Sequence, residues 1–197
     1  MKLSLTKALP YLLVAAGIMG MVASFALTYD KIHVLQDPNY SPGCNINPIL
    51  SCGSVMKTEQ ASLLGVPNTI FGLIAFTALL TFGFLLASGA VVKRRIWLMA
   101  QLLSTIGVIF MQYLFFQGVF RIHAICPWCF TVWMITIPVF WYITQYNLRQ
   151  GNLAFPARLK RLRSFILQHH ADILIFWYLC IFAIIIQHFW YYWSTLL

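Results

Sequence analysis

The sequence predicts an all-α, polytopic membrane protein with five transmembrane helices, and composition and hydropathy lead to this class. Of the 197 residues, 61% are apolar or aromatic and only 9% are charged. Soluble domains contain roughly 45–50% apolar and about 25% charged residues, so a water-soluble globule is excluded. Five uncharged apolar stretches are long enough to cross about 30 Å of hydrocarbon, where a helix satisfies its own backbone and a lone strand does not.

The predicted spans lie in chain order at 8–29, 67–90, 97–120, 122–146 and 173–197. The first span follows Lys2 and Lys7 and looks like a secretory signal peptide, but its apolar length of about 20 residues exceeds the usual range of roughly 7–15. We therefore expect a retained signal anchor. The chain divides into a catalytic four-helix core over 1–147, a basic cytoplasmic loop over 148–171 and the fifth transmembrane helix over 172–197.

Lys and Arg residues are distributed unequally between the two sides of these spans. The N-terminus, the turn after the second span and the 148–171 loop hold ten of them, and the opposite side holds three. Because basic loops remain in the cytoplasm, the N-terminus is expected inside and the C-terminus and the 30–66 loop outside. The basic clusters also account for the formal net charge of +9. Membrane lipid, rather than nucleic acid, is therefore the expected partner of these cations.

The loop over 30–66 is the one sizeable segment predicted to lie outside the membrane. Turns rich in proline and asparagine predict an irregular first half. Residues 54–64 predict a short interfacial helix, with Ser54 as its N-cap and with Gly65 and Pro67 ending it.

Four cysteines, Cys44, Cys52, Cys126 and Cys129, lie on the outer side in this topology, where disulfides persist. The last two form a C-x-x-C at the outer start of a membrane helix, with Pro127 well placed for the first helical turn. Unpaired N–H groups and the positive dipole end of such a helix stabilise a thiolate, which lowers the pKa of a cysteine there. This pattern predicts redox-dithiol chemistry.

Cys44 and Cys52 lie eight residues apart in a proline-rich segment and form a second candidate pair. A mobile pair that visits a membrane-embedded C-x-x-C relays electrons by thiol–disulfide exchange. The relay needs a final acceptor, and the aromatic residues expected around Cys129, Phe71 and Trp133 among them, favour a lipid-soluble aromatic acceptor such as a quinone. Two alternatives stay open: static disulfides that hold an outer cap, and a zinc site, although structural zinc uses paired short spacings. We assign no metal.

These residues resemble the vitamin K epoxide reductase family, and specifically its bacterial members. The shared features are a loop with two separated cysteines, the run Gly-Val-Pro-Asn-Thr-Ile-Phe-Gly over 65–72 and Cys-Pro-Trp-Cys over 126–129, in that order. The resemblance implies a four-helix bundle around a quinone (ubiquinone or menaquinone) in the bacterial plasma membrane. Longer members continue from a fifth helix into a thioredoxin-like domain. This domain is expected to be absent here, so the electron donor should be a separate, extracytoplasmic thioredoxin-fold (DsbA-like) protein.

The resemblance also implies a role for each cysteine. Cys129 would be the cysteine nearest the quinone, Cys126 would exchange with Cys52, and Cys44 would be attacked by the partner. Asn68 would donate a hydrogen bond to a quinone carbonyl and stabilise the anion that develops on reduction.

Two positions depart from the family pattern. Thr58 stands where members usually have a serine, and it keeps the hydroxyl. Trp133 stands where the animal enzymes have a tyrosine, which puts epoxide reduction in doubt. Both residues remain candidates for quinone binding, together with Asn68 and Phe71.

The function predicted from these patterns is a membrane thiol–quinone oxidoreductase that generates disulfide bonds. One alternative is a reductase of vitamin K quinone or epoxide. Another, from a different class, is a transporter or assembly protein with structural disulfides. The charge-free spans argue against a transporter, since such proteins place ionisable residues or broken helices at a mid-membrane site.

Overall fold

The computed structural model describes residues 5–37, 39–63, 65–154 and 156–194, and this part of the chain is predominantly helical. The helices are α1 (Leu5–Gln36), α2 (Cys52–Met56), α3 (Asn68–Ala87), α4 (Arg94–Gln117), α5 (Pro127–Arg149), α6 (Lys160–Gln168), α7 (His170–His188) and α8 (Trp190–Trp193). Five of them, α1, α3, α4, α5 and α7, are long and apolar enough to cross a membrane. The predicted all-α, five-span fold class is confirmed.

Two helix boundaries differ from the predicted ones. Helix α1 continues to Gln36, so the expectation that the outer loop begins irregularly is wrong for residues 30–36. The helix ends just before Asp37, a position that precedes a proline and therefore disfavours helical geometry. Helix α5 begins at Pro127 and not at 122, because a wide π-type turn at Gly118–Ile122 and the left-handed backbone of His123 (φ 56°) separate it from α4.

Helices α1 and α3 pack with their backbones in close contact. A Cβ added at Gly17 would lie 2.8 Å from the Cα of Leu80, and one added at Gly83 would lie 2.8 Å from the backbone N of Val14. Small residues allow such an approach, which is how helices gain van der Waals contact inside lipid.

Helix α5 lies at the centre of the bundle and contacts α1, α4, α6 and α7. Two polar side chains near its C-terminal end are fully buried and hydrogen-bonded. Asn147 Nδ2 donates to Trp97 O at 3.2 Å and to Gln101 Oε1 at 3.1 Å, and Gln145 Nε2 donates to Ile166 O at 3.1 Å. These bonds connect α5 to α4 and α6.

The basic segment over 148–171 contains helix α6, which the sequence analysis did not assign. Arg163 Nη2 donates to Leu148 O at 2.6 Å and holds α6 against the end of α5. Helix α7 ends at His188, before the predicted end of the fifth span, and the short helix α8 follows. Lys2, Leu64 and residues 195–197, on which other parts of the predictions depended, lie outside the described residues.

Candidate redox site

The structure brings together the four cysteines predicted to act together. Cys44 and Cys52 form a disulfide with their Cα atoms 5.6 Å apart. The Cys126 Sγ lies 3.2 Å from the Cys52 Sγ, and the backbone N–H of Cys129 donates to the Cys126 Sγ at 3.4 Å. Cys180 is exposed on α7 and belongs to none of these contacts. Sulfurs from two segments separated by 74 residues therefore lie within exchange distance.

A short parallel bridge between Leu50 and Ile125 aligns the two cysteine segments. Ile125 N–H donates to Ile49 O at 2.7 Å, and Ser51 N–H donates to Ile125 O at 3.1 Å. Cys126 is the residue after Ile125, and Cys52 is the second residue after Leu50, so the pairing of the backbones brings their side chains together.

The helix that carries Cys52 begins earlier than predicted. Its N-cap is Ser51, whose Oγ accepts from the Ser54 N–H at 3.2 Å, so the assignment of Ser54 as N-cap is wrong. The predicted helix over 54–64 is divided into α2 and a 3₁₀ turn at Glu59–Ser62. Cys52 thus occupies the first helical position and is fully buried.

Cys126 caps helix α5, as the position of Pro127 in the first turn predicts. Its side chain is 1% exposed. The pKa of the Cys126 thiol is lowered below its ordinary value, first by a hydrogen bond with the Cys129 side chain and then by the backbone N–H groups of Cys129 and Trp128. These bonds outweigh the opposing effect of burial. A lower pKa increases the thiolate fraction of Cys126, and the contribution of the backbone N–H groups is the one expected at a helix N-terminus.

Aromatic rings surround the Cys129 end of the site. Trp133, one turn further along α5, is 3% exposed, and its ring centroid lies 5.0 Å from that of Phe115 and 6.2 Å from that of Phe130. Its indole N–H is buried and has no hydrogen-bond acceptor among the described residues. Phe71, which the sequence predicts beside Cys129, lies on α3 and is 39% exposed, and its place in this site stays a prediction. A buried donor without a partner is costly in a protein interior, which marks Trp133 as a candidate ligand-binding residue.

Asn68 and Thr58 both form hydrogen bonds in the segment from α2 to the start of α3. Asn68 Nδ2 donates to Gln60 O at 2.6 Å, and its Oδ1 accepts from the Leu63 N–H at 3.2 Å. Thr58 Oγ1 donates to Val55 O at 2.7 Å. Both residues shape the segment between Cys52 and α3, and their assignment as quinone ligands stays a prediction.

Two groups close to the cysteines, Asp30 and a pair of histidines, had no role assigned to them from the sequence. Asp30 is 8% exposed, and its Oδ2 lies 3.7 Å from the Cys44 Sγ. His123 Nδ1 and His188 Nε2 lie 3.0 Å apart and join the turn before α5 to the end of α7. A signal for Asp30 was present in the sequence, since it is one of only four acidic residues in the chain and stands at the end of a span.

The sequence model of the Vitamin K epoxide reductase family matches residues 11–144 of this chain. The matched segment runs from α1 into α5 and includes all four cysteines of the site. No curated protein matches the chain.

Proposed function

This chain belongs to the vitamin K epoxide reductase family, whose members are membrane oxidoreductases that act with quinones, and on this premise we propose that it generates disulfides. Electrons pass from a thioredoxin-fold partner through Cys44 and Cys52 to Cys126 and Cys129, and then to a quinone. The observation that carries the proposal is the 3.2 Å distance between the Cys52 and Cys126 sulfurs. Family membership also favours an oxidoreductase over the alternative of a transporter with structural disulfides.

The partner attacks the loop disulfide at Cys44. Cys44 is partly exposed whereas Cys52 is fully buried, so a protein thiolate can reach only the first of these sulfurs. A mixed disulfide with Cys44 forms and Cys52 leaves as a thiolate. The second thiol of the partner then displaces Cys44, so the partner becomes a disulfide and the loop pair becomes a dithiol.

The loop dithiol next reduces the C-x-x-C disulfide. Cys52 attacks Cys126, the Cys126–Cys129 bond breaks, and Cys129 leaves as a thiolate. Cys44 then attacks Cys52, the Cys52–Cys126 bond breaks, and the loop disulfide forms again. The arrangement in the structure corresponds to the end of this sequence, with Cys44 and Cys52 joined and with Cys126 and Cys129 as free thiols.

The chemistry of Trp133 and of the other side chains predicted to bind the cofactor fits a quinone. A quinone supplies a two-electron, two-proton acceptor, with ring faces for aromatic contact and carbonyl oxygens that accept hydrogen bonds. Trp133 offers the buried indole N–H that has no acceptor among the described residues. Asn68 keeps one amide proton beyond the one given to Gln60 O, since its NH₂ group carries two donors. Phe71 and Thr58 complete the set of residues proposed to bind it.

We place the redox site on the extracytoplasmic side of a bacterial plasma membrane. The unequal distribution of Lys and Arg supports an N-terminus in the cytoplasm. Cys44, Cys52 and Cys126 then lie in the oxidising compartment, where newly made disulfides persist.

Quinone reduction by the purified protein tests the proposal. The protein in detergent is supplied with ubiquinone-1 or a short-chain menaquinone and with dithiothreitol or reduced thioredoxin, while quinone absorbance is followed. Wild type and Cys180→Ala, the matched cysteine control on α7, are expected to reduce quinone, and Cys129→Ala is not. Normal activity of Cys129→Ala would contradict the proposal. So would mass spectrometry that finds intact Cys44–Cys52 and Cys126–Cys129 disulfides resisting mild dithiols, since the cysteines would then be structural.

A further inference from the structure

A buried carboxylate contacts the sulfur that the partner is proposed to attack. Asp30 lies near the outer end of α1 and is 8% exposed. Its Oδ1 accepts a hydrogen bond from the Tyr40 hydroxyl at 2.8 Å, and its Oδ2 lies 3.7 Å from the Cys44 Sγ. One oxygen is therefore fixed by the phenol, and the other faces the sulfur.

Asp30 has no cationic partner in the part of the chain that the structure describes, where the ion pair present is His169–Asp172. Its neighbour in the sequence, Lys31, instead donates to the carbonyl of Met56. Carboxylates are rarely this buried without a cation, because burial removes their hydration. The burial of this carboxylate without a cation therefore indicates a role in the chemistry of the site.

We propose that Asp30 accepts the proton of Cys44 when the loop disulfide closes and returns it when the disulfide opens. This inference deepens the proposed function and rests on it. On closing, the Cys44 thiol attacks the Cys52 Sγ of a Cys52–Cys126 disulfide. The Cys44–Cys52 bond forms, the Cys52–Cys126 bond breaks, and its electron pair leaves with Cys126 as a thiolate. The Cys44 proton moves to Asp30 Oδ2, so charge and atoms balance.

The charge of Asp30 explains why Cys44 needs such an acceptor. A carboxylate beside a sulfur disfavours the thiolate, so reduced Cys44 stays a thiol until it attacks. Only a thiolate is an effective nucleophile, and a base in contact with the sulfur generates it at the moment of attack.

The other titratable groups around this carboxylate are Tyr40, Tyr29, His33 and Cys126. The Tyr40 ring lies 5.1 Å from that of His33, and the hydrogen bond to Asp30 raises the pKa of Tyr40, so the phenol stays a donor. Tyr29 contributes a weaker charge effect on Tyr40. Cys126 is close enough to sense the charge of Asp30. The phenol therefore orients the carboxylate without competing with it for the Cys44 proton.

An internal exchange assay in a protein carrying Cys129→Ala and Cys180→Ala tests Asp30 without quinone or partner. Cys180 is removed because it is exposed and would react with the alkylating reagent. The three remaining cysteines are oxidised so that Cys44–Cys52 is the one disulfide, and N-ethylmaleimide is added at saturating concentration. Cys126 is buried, so the thiol that reacts first is Cys44, at the moment Cys126 displaces it from Cys52. The rate of Cys44 alkylation, measured by mass spectrometry from pH 6 to 9, is then the rate of displacement.

Asp30→Asn keeps an oxygen for Tyr40 but cannot carry the proton. It is expected to slow displacement on the order of 10²-fold at neutral pH. The difference in displacement rate between wild type and Asp30→Asn should shrink as pH rises. At higher pH Cys126 ionises more fully, and Cys44 can leave as a thiolate without receiving a proton. Asp37→Asn, a change at an exposed carboxylate of the same loop, is expected to leave the rate unchanged.

Two results would overturn the inference. Displacement in Asp30→Asn at or above the wild-type rate would mean that the carboxylate only repels a thiolate. A deficit that does not change with pH would mean that Asp30 only supports the fold. If Asp30→Asn does not fold, Tyr40→Phe is measured instead. Its displacement rate is expected to fall less than that of Asp30→Asn and to depend more steeply on pH than the wild-type rate. A rate and a pH slope equal to those of wild type would count against the inference. Because the assay contains no quinone, its outcome is independent of whether the protein reduces quinone.

Discussion

The two cysteine pairs lie in contact, yet their surroundings differ in charge and polarity. The loop pair, Cys44 and Cys52, is held by a polar segment, and a carboxylate lies 3.7 Å from Cys44. The helix pair, Cys126 and Cys129, stands at a helix N-terminus, where a hydrogen bond with the Cys129 side chain and then backbone N–H groups lower the pKa of Cys126. In the relay we propose, thiolates would therefore form in two ways: by proton transfer to a base in the loop, and by stabilisation through hydrogen bonds at the helix.

Removing Cys126 should have the largest effect, because this residue connects the two pairs. Cys126→Ser is expected to lower quinone reduction on the order of a thousand-fold or more with every thiol reductant, since Cys52 then has no sulfur to attack and Cys129 has no partner with which to form a disulfide. Stopped-flow quinone absorbance measures the loss. Turnover within tenfold of wild type would show that electrons bypass Cys126.

Removing Cys44 should separate the loop pair from the helix pair. Cys44→Ala is expected to lower turnover with reduced thioredoxin-fold protein about a hundred-fold, because the exposed point of attack is lost. Turnover with dithiothreitol, which is small enough to reach the C-x-x-C directly, should stay close to wild type. Parallel assays with the two reductants check this split, and equal losses with both would show that Cys44 also serves the helix pair.

Trp133 tests the apolar side of the helix pair. Trp133→Phe keeps a ring against Phe115 but removes the buried indole N–H. Loss of its proposed hydrogen bond to quinone, worth about 1 kcal/mol, is expected to raise the KM for quinone about fivefold. Trp141→Phe is the matched control, since its indole N–H already donates to His170 O at 2.8 Å. Steady-state kinetics against quinone concentration distinguish the two, and a KM that rises equally in both variants would contradict the assignment.

The smallest expected effect is a change in the ionisation of Cys126. Its pKa is lowered first by the hydrogen bond with the Cys129 side chain, so Cys129→Ala should raise it back toward the ordinary value. The titration midpoint of Cys126, followed by the ultraviolet absorbance of its thiolate after the loop disulfide has formed, should therefore move to higher pH. A midpoint that stays or falls would mean that the backbone N–H groups alone stabilise the thiolate.

Much of the redox site was predictable because its signals are local. Pro127 at the first position of α5 and Cys126 as its cap follow from helix chemistry within four residues. The position of Ser51 shows where local reasoning failed. Ser54 had equal capping chemistry, but Asn45 Oδ1 accepts from the Ser51 Oγ at 3.0 Å and from the Gly53 N–H at 2.9 Å, which starts the helix three residues earlier.

The number of membrane-spanning helices and the four cysteines of the site were evident in the sequence. A hydrocarbon layer sets the minimum length of a span, so composition and hydropathy predict how many helices cross it, but not where each one begins and ends. The meeting of Cys52 and Cys126, implied beforehand by the family resemblance alone, depends in the fold on the bridge between Leu50 and Ile125, and the position of Asp30 beside Cys44 emerged from the tertiary structure. Such contacts join residues far apart in the chain. They depend on how whole segments pack against one another, which no local pattern of residues records.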